Sequence, residues 1–237
     1  MRAPAPRSIR ALATDYDGTI ATHGEVDAAT IASLLRCRAS GRYLILVTGR
    51  ELDELRAVFP ELEIFDLVVA ENGPLLYWPK EQRERVLAPP PHPEFVKLLK
   101  TAKVDPLSVG RVVVATFEPH DRTVFEAIKT LGLELQVIFN KGSVMVLPSG
   151  INKASGLDAA LTELGLKAGE VAGIGDAEND HAFLERCGVS AAVANALPSV
   201  KEHVHFVAEH THGAGVTELI DWLLAADLPV PSADQKK

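Results

Sequence analysis

Arg10-Ala11-Leu12-Ala13-Thr14-Asp15-Tyr16-Asp17-Gly18-Thr19 is the stretch that decides how this chain folds. Its first half is an apolar run of strand length. Its second half sets two carboxylates two residues apart, followed by a glycine that permits a sharp exit. Arg10 to Thr14 therefore reads as a buried strand ending at Asp15. An acidic pair at a buried strand end is costly unless a cation or hydrogen bonds compensate it. A hard cation such as Mg2+ suits oxygen ligands of this kind. A solvated turn would use the same residue types, since Asp and Gly are ordinary turn formers. A calcium-binding EF-hand loop is excluded, because its twelfth position falls on Val26, where a glutamate is needed.

The segments on either side fit the strand reading. Asp27 is placed to N-cap a helix whose apolar face is Ala28, Ile31, Leu34 and Leu35, with Gly41 as its stop. Tyr43 to Val47 is a second strand, Leu52 to Val58 a short helix, and Leu67 to Ala70 a third strand. Strand, helix, strand at this spacing implies a parallel sheet with helical crossovers. Beyond the stiff connection at Pro89, Pro90, Pro91 and Pro93 the character changes. A helix is expected near Glu94 to Thr101, a strand over Arg111 to Phe117, and a helix near Asp121 to Leu131. Two strands follow, Glu134 to Phe139 and Ser143 to Leu147, joined by a hairpin turn at Asn140-Lys141-Gly142. This block reads as a small α+β unit inserted into the first. The α/β rhythm then resumes. Asn152 caps a helix to about Leu164, and strands follow over Val171 to Ile174 and Ser190 to Val193. A last helix shows Val216, Leu219, Ile220, Leu223 and Leu224 on one face. Pro229 to Lys237 is polar and contains prolines, and a disordered tail is expected there.

Three further segments lie at predicted strand ends, where ligands bind in open α/β sheets. Thr48-Gly49-Arg50 offers a hydroxyl to a phosphoryl oxygen, or simply a βα turn capped by Thr48. Lys153 stands at a helix start, where the dipole disfavours a cation. It is either a solvent-facing lysine or a counter-charge to neighbouring carboxylates and a phosphate. Gly173-Ile174-Gly175-Asp176-Ala177-Glu178-Asn179-Asp180 gathers acids and an amide at a strand-to-helix turn, with Asp176 and Asp180 able to share a face. It lacks the third glycine of a dinucleotide fingerprint, and no P-loop sequence occurs in the chain.

Composition narrows the classes. The chain has 237 residues, 47% hydrophobic and 24% charged, enough for a core domain with a smaller satellite. No apolar run approaches the length of a membrane span. Met1 to Arg10 carries charge but no apolar segment of the secretory type, so a cytoplasmic protein is expected. The net charge of −8, without a basic stripe, argues against nucleic acid as a partner. It also requires any phosphate site to bring its own positive charge. Cys37 and Cys187 belong to no CxxC pair and read as reduced, partly buried thiols. His203, His205, His210 and His212 cluster in sequence but follow no zinc spacing.

Taken together, Asp15-Tyr16-Asp17-Gly18-Thr19, Thr48-Gly49-Arg50, Lys153 and Gly175-Asp176 through Asp180 resemble the four motifs of the haloacid dehalogenase-like (HAD) phosphatase superfamily. Glu71-Asn72-Gly73, Val193-Ala194-Asn195-Ala196 and Gly213-Ala214-Gly215-Val216 are similar to its Cof-type branch, which includes sucrose-phosphate phosphatases and archaeal phosphoglycolate phosphatases. His181 departs from the pattern, standing where an apolar residue is common. The resemblance covers about Arg10 to Leu224. It implies an α/β fold with a Rossmannoid parallel-sheet core, helices on both faces, and an inserted α+β cap. The core would occupy 1–80 and 151–228, the cap 81–150, and the tail 229–237.

By resemblance, Asp15 is the nucleophile in a phospho-aspartate mechanism and Asp17 the general acid and base. Thr48, Gly49, Arg50 and Lys153 would bind the phosphoryl group. Mg2+ would be held by Asp15, the Asp17 carbonyl and Asp176, with Asp180 acting directly or through water. Asn72, Asn179 and Asn195 would line the site. The substrate implied is a small phosphorylated metabolite, a sugar phosphate or phosphoglycolate. Arg111, His120, Arg122, Lys141 and Ser143 are candidates for contacts from the cap. Phosphotransfer, as in phosphomannomutases, uses the same nucleophile and stays open on these motifs. A non-catalytic binding module would lack at least one of these groups, and none is missing.

Overall fold

A computed structural model describes residues 9–226 of the chain. The tail expected over 229–237 lies outside them. The elements of the first part are β1 (Ala11–Thr14), α1 (Ala28–Ala39), β2 (Tyr43–Val47), α2 (Leu52–Val58), β3 (Leu67–Ala70), β4 (Leu75–Trp78) and β5 (Arg83–Val86). The middle contains α3 (Pro93–Thr101), β6 (Ser108–Val109), β7 (Val114–Phe117), α4 (Asp121–Leu131), β8 (Leu135–Asn140) and β9 (Ser143–Pro148). The last part adds α5 (Lys153–Leu164), β10 (Val171–Gly175), α6 (His181–Arg186), β11 (Val189–Ala192), α7 (Pro198–Lys201), β12 (Phe206–Val207) and α8 (His212–Ala226).

The larger sheet runs β12-β11-β10-β1-β2-β3-β4-β5. Its strands are parallel from β12 through β3, and β4 and β5 turn antiparallel. The central strands are apolar but for a few residues such as Thr14, because they are covered on both faces, by α1 with α8 and by α5 with α6. Thr14 pairs with both Ile174 and Leu46, so the carboxyl ends of β1, β2 and β10 are level. That register sets Asp15, Thr48 and Asp176 side by side.

The second sheet, β6-β7-β9-β8, is antiparallel. One of its faces packs with α3 and α4 through Phe95, Leu99, Val114, Val124 and Val146. Its other face carries Met145 and Leu147, against which Val112 and Val113 pack.

Four local expectations need correction. Leu35 is 44% exposed, because α1 buries Thr30, Ser33, Leu34 and Cys37 instead. β5 belongs to the larger sheet although its residues fall in the stretch 81–150 read as the inserted unit. Its Arg-Glu-Arg-Val sequence is exposed throughout and lacks the alternation that marks a half-buried strand. The strand expected over Arg111 to Phe117 begins only at Val114, because residues 110–113 close a turn in which the Gly110 N–H donates to the Val113 carbonyl at 2.9 Å. β4 was not anticipated, since its short apolar run abuts the Gly73-Pro74 turn.

Candidate active site

Asp15 follows β1 and is 4% exposed, with its N–H donating to the Ile174 carbonyl of β10 at 3.0 Å. The first turn of α5 brings up Lys153, itself 1% exposed, beside it. Asn152 caps this helix by accepting from the Ser155 N–H. The Lys153 ammonium donates to Asp15 Oδ1 and to Asp180 Oδ1, at 2.6 Å each. The second oxygen of Asp180 accepts from the N–H groups of Asp176 and Ala177, at 2.8 and 3.0 Å. Asp180 thus buttresses both the lysine and the loop after β10. Asp176 is 1% exposed, and its oxygens accept from Thr19 Oγ1 and from the Lys141 ammonium.

Asp15, Asp176 and Asp180 each present an oxygen within 4.8 Å of the others, the group among the described residues that could hold a metal ion. Burial pushes the Asp15 carboxyl up to about 8, with Lys153 opposing and Asp180 and Asp176 adding to the rise. Burial also raises Asp176, against the Lys141 bond. Burial works against the charge on Lys153, but Asp15 and Asp180 more than offset it and hold its pKa above the ordinary range. Three carboxylate oxygens converge there, and a hard divalent cation fits that donor chemistry.

Asp17 does not join this cluster. Its carboxylate accepts a two-pronged bond from Arg50, at 2.7 Å from Nε and 2.8 Å from Nη2, and the guanidinium also lies 5.4 Å from the Tyr16 ring. Arg50, expected among the substrate-binding residues, bonds Asp17 through both prongs. Thr48 is buried, and its Oγ1 accepts from the Arg50 N–H at 3.1 Å, which shapes the turn. Asn72 Oδ1 accepts from Asn179 Nδ2 at 3.0 Å. Asn72 Nδ2 and Asn179 Oδ1 are buried without partners, a donor and an acceptor held in reserve beside the cluster. Asn195 instead ties the Gly18 carbonyl to the Thr211–His212 bend through both ends of its amide.

A cavity of about 390 Å³ opens between the two sheets, with Asp15, Asp17, Gly49, Arg50, Asp176 and Asn179 on the core side. Lys141, Ser143, Met145 and Phe117 face them from the small unit. The other candidates from that unit lie elsewhere. Arg111 bonds Asp53 and Glu84, His120 contacts the Asp105 carbonyl, and Arg122 is exposed on α4. The four histidines do not converge. His203 contacts the Ser199 carbonyl, His205 contacts Ser190 and His210 contacts Glu218. His181 stacks edge-on with His203.

The Arg50–Asp17 clamp and the Lys141–Asp176 bond were not read from sequence. Each joins residues far apart in the chain, and no spacing rule connects them.

Comparison with known proteins bears on this geometry. A family model described as haloacid dehalogenase-like hydrolase matches residues 12–109 and 100–220. The chain is 30% identical over 219 residues to a phosphoglycolate phosphatase of Methanothermobacter thermautotrophicus, covering 90% of this chain and 97% of that protein. It is 28% identical over 223 residues to phosphoglycolate phosphatase 2 of Saccharolobus solfataricus, covering 91% and 93%. A haloacid dehalogenase-like hydrolase of Bacteroides thetaiotaomicron shares the fold with a TM-score of 0.76 at 19% identity, covering 90% and 99%.

Proposed function

The chain belongs to the haloacid dehalogenase-like hydrolases, and from that premise we propose that it is a magnesium-dependent phosphatase of a small phosphorylated metabolite, phosphoglycolate or a sugar phosphate, working through a phospho-aspartate at Asp15. Its phosphatase class follows from relatives that match nearly its whole length. The observation that carries the mechanism is the buried set of Asp15, Lys153, Asp180 and Asp176 at the floor of the cavity.

Lys153 holds one oxygen of Asp15, which leaves the other to attack phosphorus. As the new P–O bond forms, the ester P–O bond breaks and the leaving oxygen takes a proton from Asp17. Asp17 then accepts a proton from water, which attacks the aspartyl phosphate and releases inorganic phosphate and Asp15. For this exchange Asp17 leaves the two-pronged Arg50 bond, which holds it as a carboxylate, and takes up a proton. Thr48 Oγ1, Asn72 Nδ2 and Lys153 supply donors to the phosphoryl oxygens. Magnesium held by Asp15, the Asp17 carbonyl and Asp176 would supply the charge neutralisation that lets a carboxylate approach a phosphate dianion. The Lys141 ammonium, raised above its usual pKa by the Asp176 bond despite its burial, is the cationic group that the cap offers an anionic substrate.

The test is phosphate release from a panel of small phosphate esters by the wild type and Asp15→Asn, with and without Mg2+. The expected outcome is release that needs the metal and falls by about 10³-fold or more in the variant. Release that persists in pure Asp15→Asn would remove the nucleophile from this reading. Appearance of a second phosphorylated sugar in place of free phosphate would make the enzyme a phosphotransferase.

A further inference from the structure

Glu71, directly after β3, is fully buried, and its carboxylate points away from the phosphoryl site into the small unit. Its Oε1 accepts from the Arg111 N–H at 2.8 Å, and its Oε2 from the N–H groups of Val112 and Val113 at 2.8 and 3.0 Å. Three successive backbone donors of one turn thus converge on a single carboxylate, an anion nest built by the 110–113 turn. Gly110 is part of the fit. A Cβ there would lie 2.7 Å from the carboxyl carbon and both oxygens of Glu71. The backbone of Glu71 is held as firmly. Its φ of +57° and that of Asn72, +63°, lie in the left-handed region, which non-glycine residues keep only where the surroundings over-determine them. The Glu71 N–H donates to the Arg50 carbonyl and the Asn72 N–H to the Thr48 carbonyl, both at 2.9 Å.

We propose that Glu71 is a positioning residue that docks the cap onto the core and refers the cap's placement directly to the Thr48–Arg50 loop. Val113 of the nest and Ala115 beyond it line the cavity, so the nest, together with the Arg111–Asp53 and Lys141–Asp176 bonds, sets the height of the cavity roof over Asp15. The inference rests on the proposed phosphatase site for its kinetic consequence, but not for the docking itself.

The test uses Glu71→Gln in the full chain, with Gly110→Ala as a second route that crowds the nest and leaves the glutamate in place. An amide turns an N–H₂ toward at least one of the three donors. The expected result is faster hydrogen exchange at the amides of Arg111, Val112 and Val113 in both variants, with those of β1, β2 and β10 unchanged. The preferred small ester should lose about 10²-fold in kcat/KM, the scale of a misplaced binding wall, with KM raised. Hydrolysis of p-nitrophenyl phosphate, whose leaving group needs no roof, should fall far less. Unchanged exchange in the turn would overturn the docking role. Loss of protection throughout the core, or an equal loss on both esters, would make Glu71 merely structural. If the wild type releases phosphate from no ester, the phosphatase reading fails while the exchange measurement still decides the docking.

Discussion

Lys153 occupies the most demanding position in the molecule. It is a buried ammonium in the first turn of a helix, where the dipole opposes it, and only Asp15 and Asp180 make that tolerable. Lys153→Met removes the counter-charge and leaves two buried carboxylates facing each other. Stability should fall by about 3–5 kcal/mol in urea melts. Activity should fall by about 10²–10³-fold in kcat. Lys153→Arg should not restore it, because a planar fork cannot replace a compact ammonium between two carboxylates. A variant with wild-type stability would mean that the carboxylates are compensated elsewhere.

At the scale of elements, α5 is the lever that delivers Lys153, and it is seated by close backbone contact. It packs on β2, β3 and β4. A Cβ on Gly156 would run into the Gly73 carbonyl oxygen and Val69 Cγ1. Gly to Ala inside a helix ordinarily stabilises by about 1 kcal/mol. Here the sign should reverse, with overpacking costing about 1–3 kcal/mol. Thermal melts of Gly156→Ala check this, and a raised Tm would show that the helix has room to shift. The same contact gives Gly73 its place after Glu71 and Asn72, since a Cβ there would strike the Asn152 backbone. The helix was legible because Asn152 marks its start. β5 was not, because an exposed edge strand carries no buried face to pattern its residues.

For the whole molecule, the two cysteines report on global unfolding. Both are buried and unpaired. Burial pushes the Cys37 thiol up to about 11, against Arg42 and Arg36, and raises Cys187 as well. The folded state therefore keeps protons that the unfolded chain releases near 9.0. That contribution to stability is complete below the unfolded value and is lost as pH rises through about 11. Native protein should not react with a thiol-specific disulfide reagent at neutral pH, and two thiols should titrate on unfolding in urea. Fast reaction of either thiol in the native state would show a local opening.

The alternation of apolar strands with capped helices is a local property, so a parallel sheet with helical crossovers could be read along the chain. Asp15, Lys153, Asp176 and Asp180 were legible for a related reason, since each stands at a strand or helix end where the parallel topology must bring such residues together. Pairings between side chains from separate loops could not be read. Arg50 turning to Asp17, Lys141 reaching Asp176 and Glu71 entering a backbone nest depend on where loops arrive after the sheet and the small unit have packed. Hydrogen bonds act over about 3 Å. Their partners are settled by tertiary placement, whereas periodicity and caps act within a few residues and are already present in the linear chain.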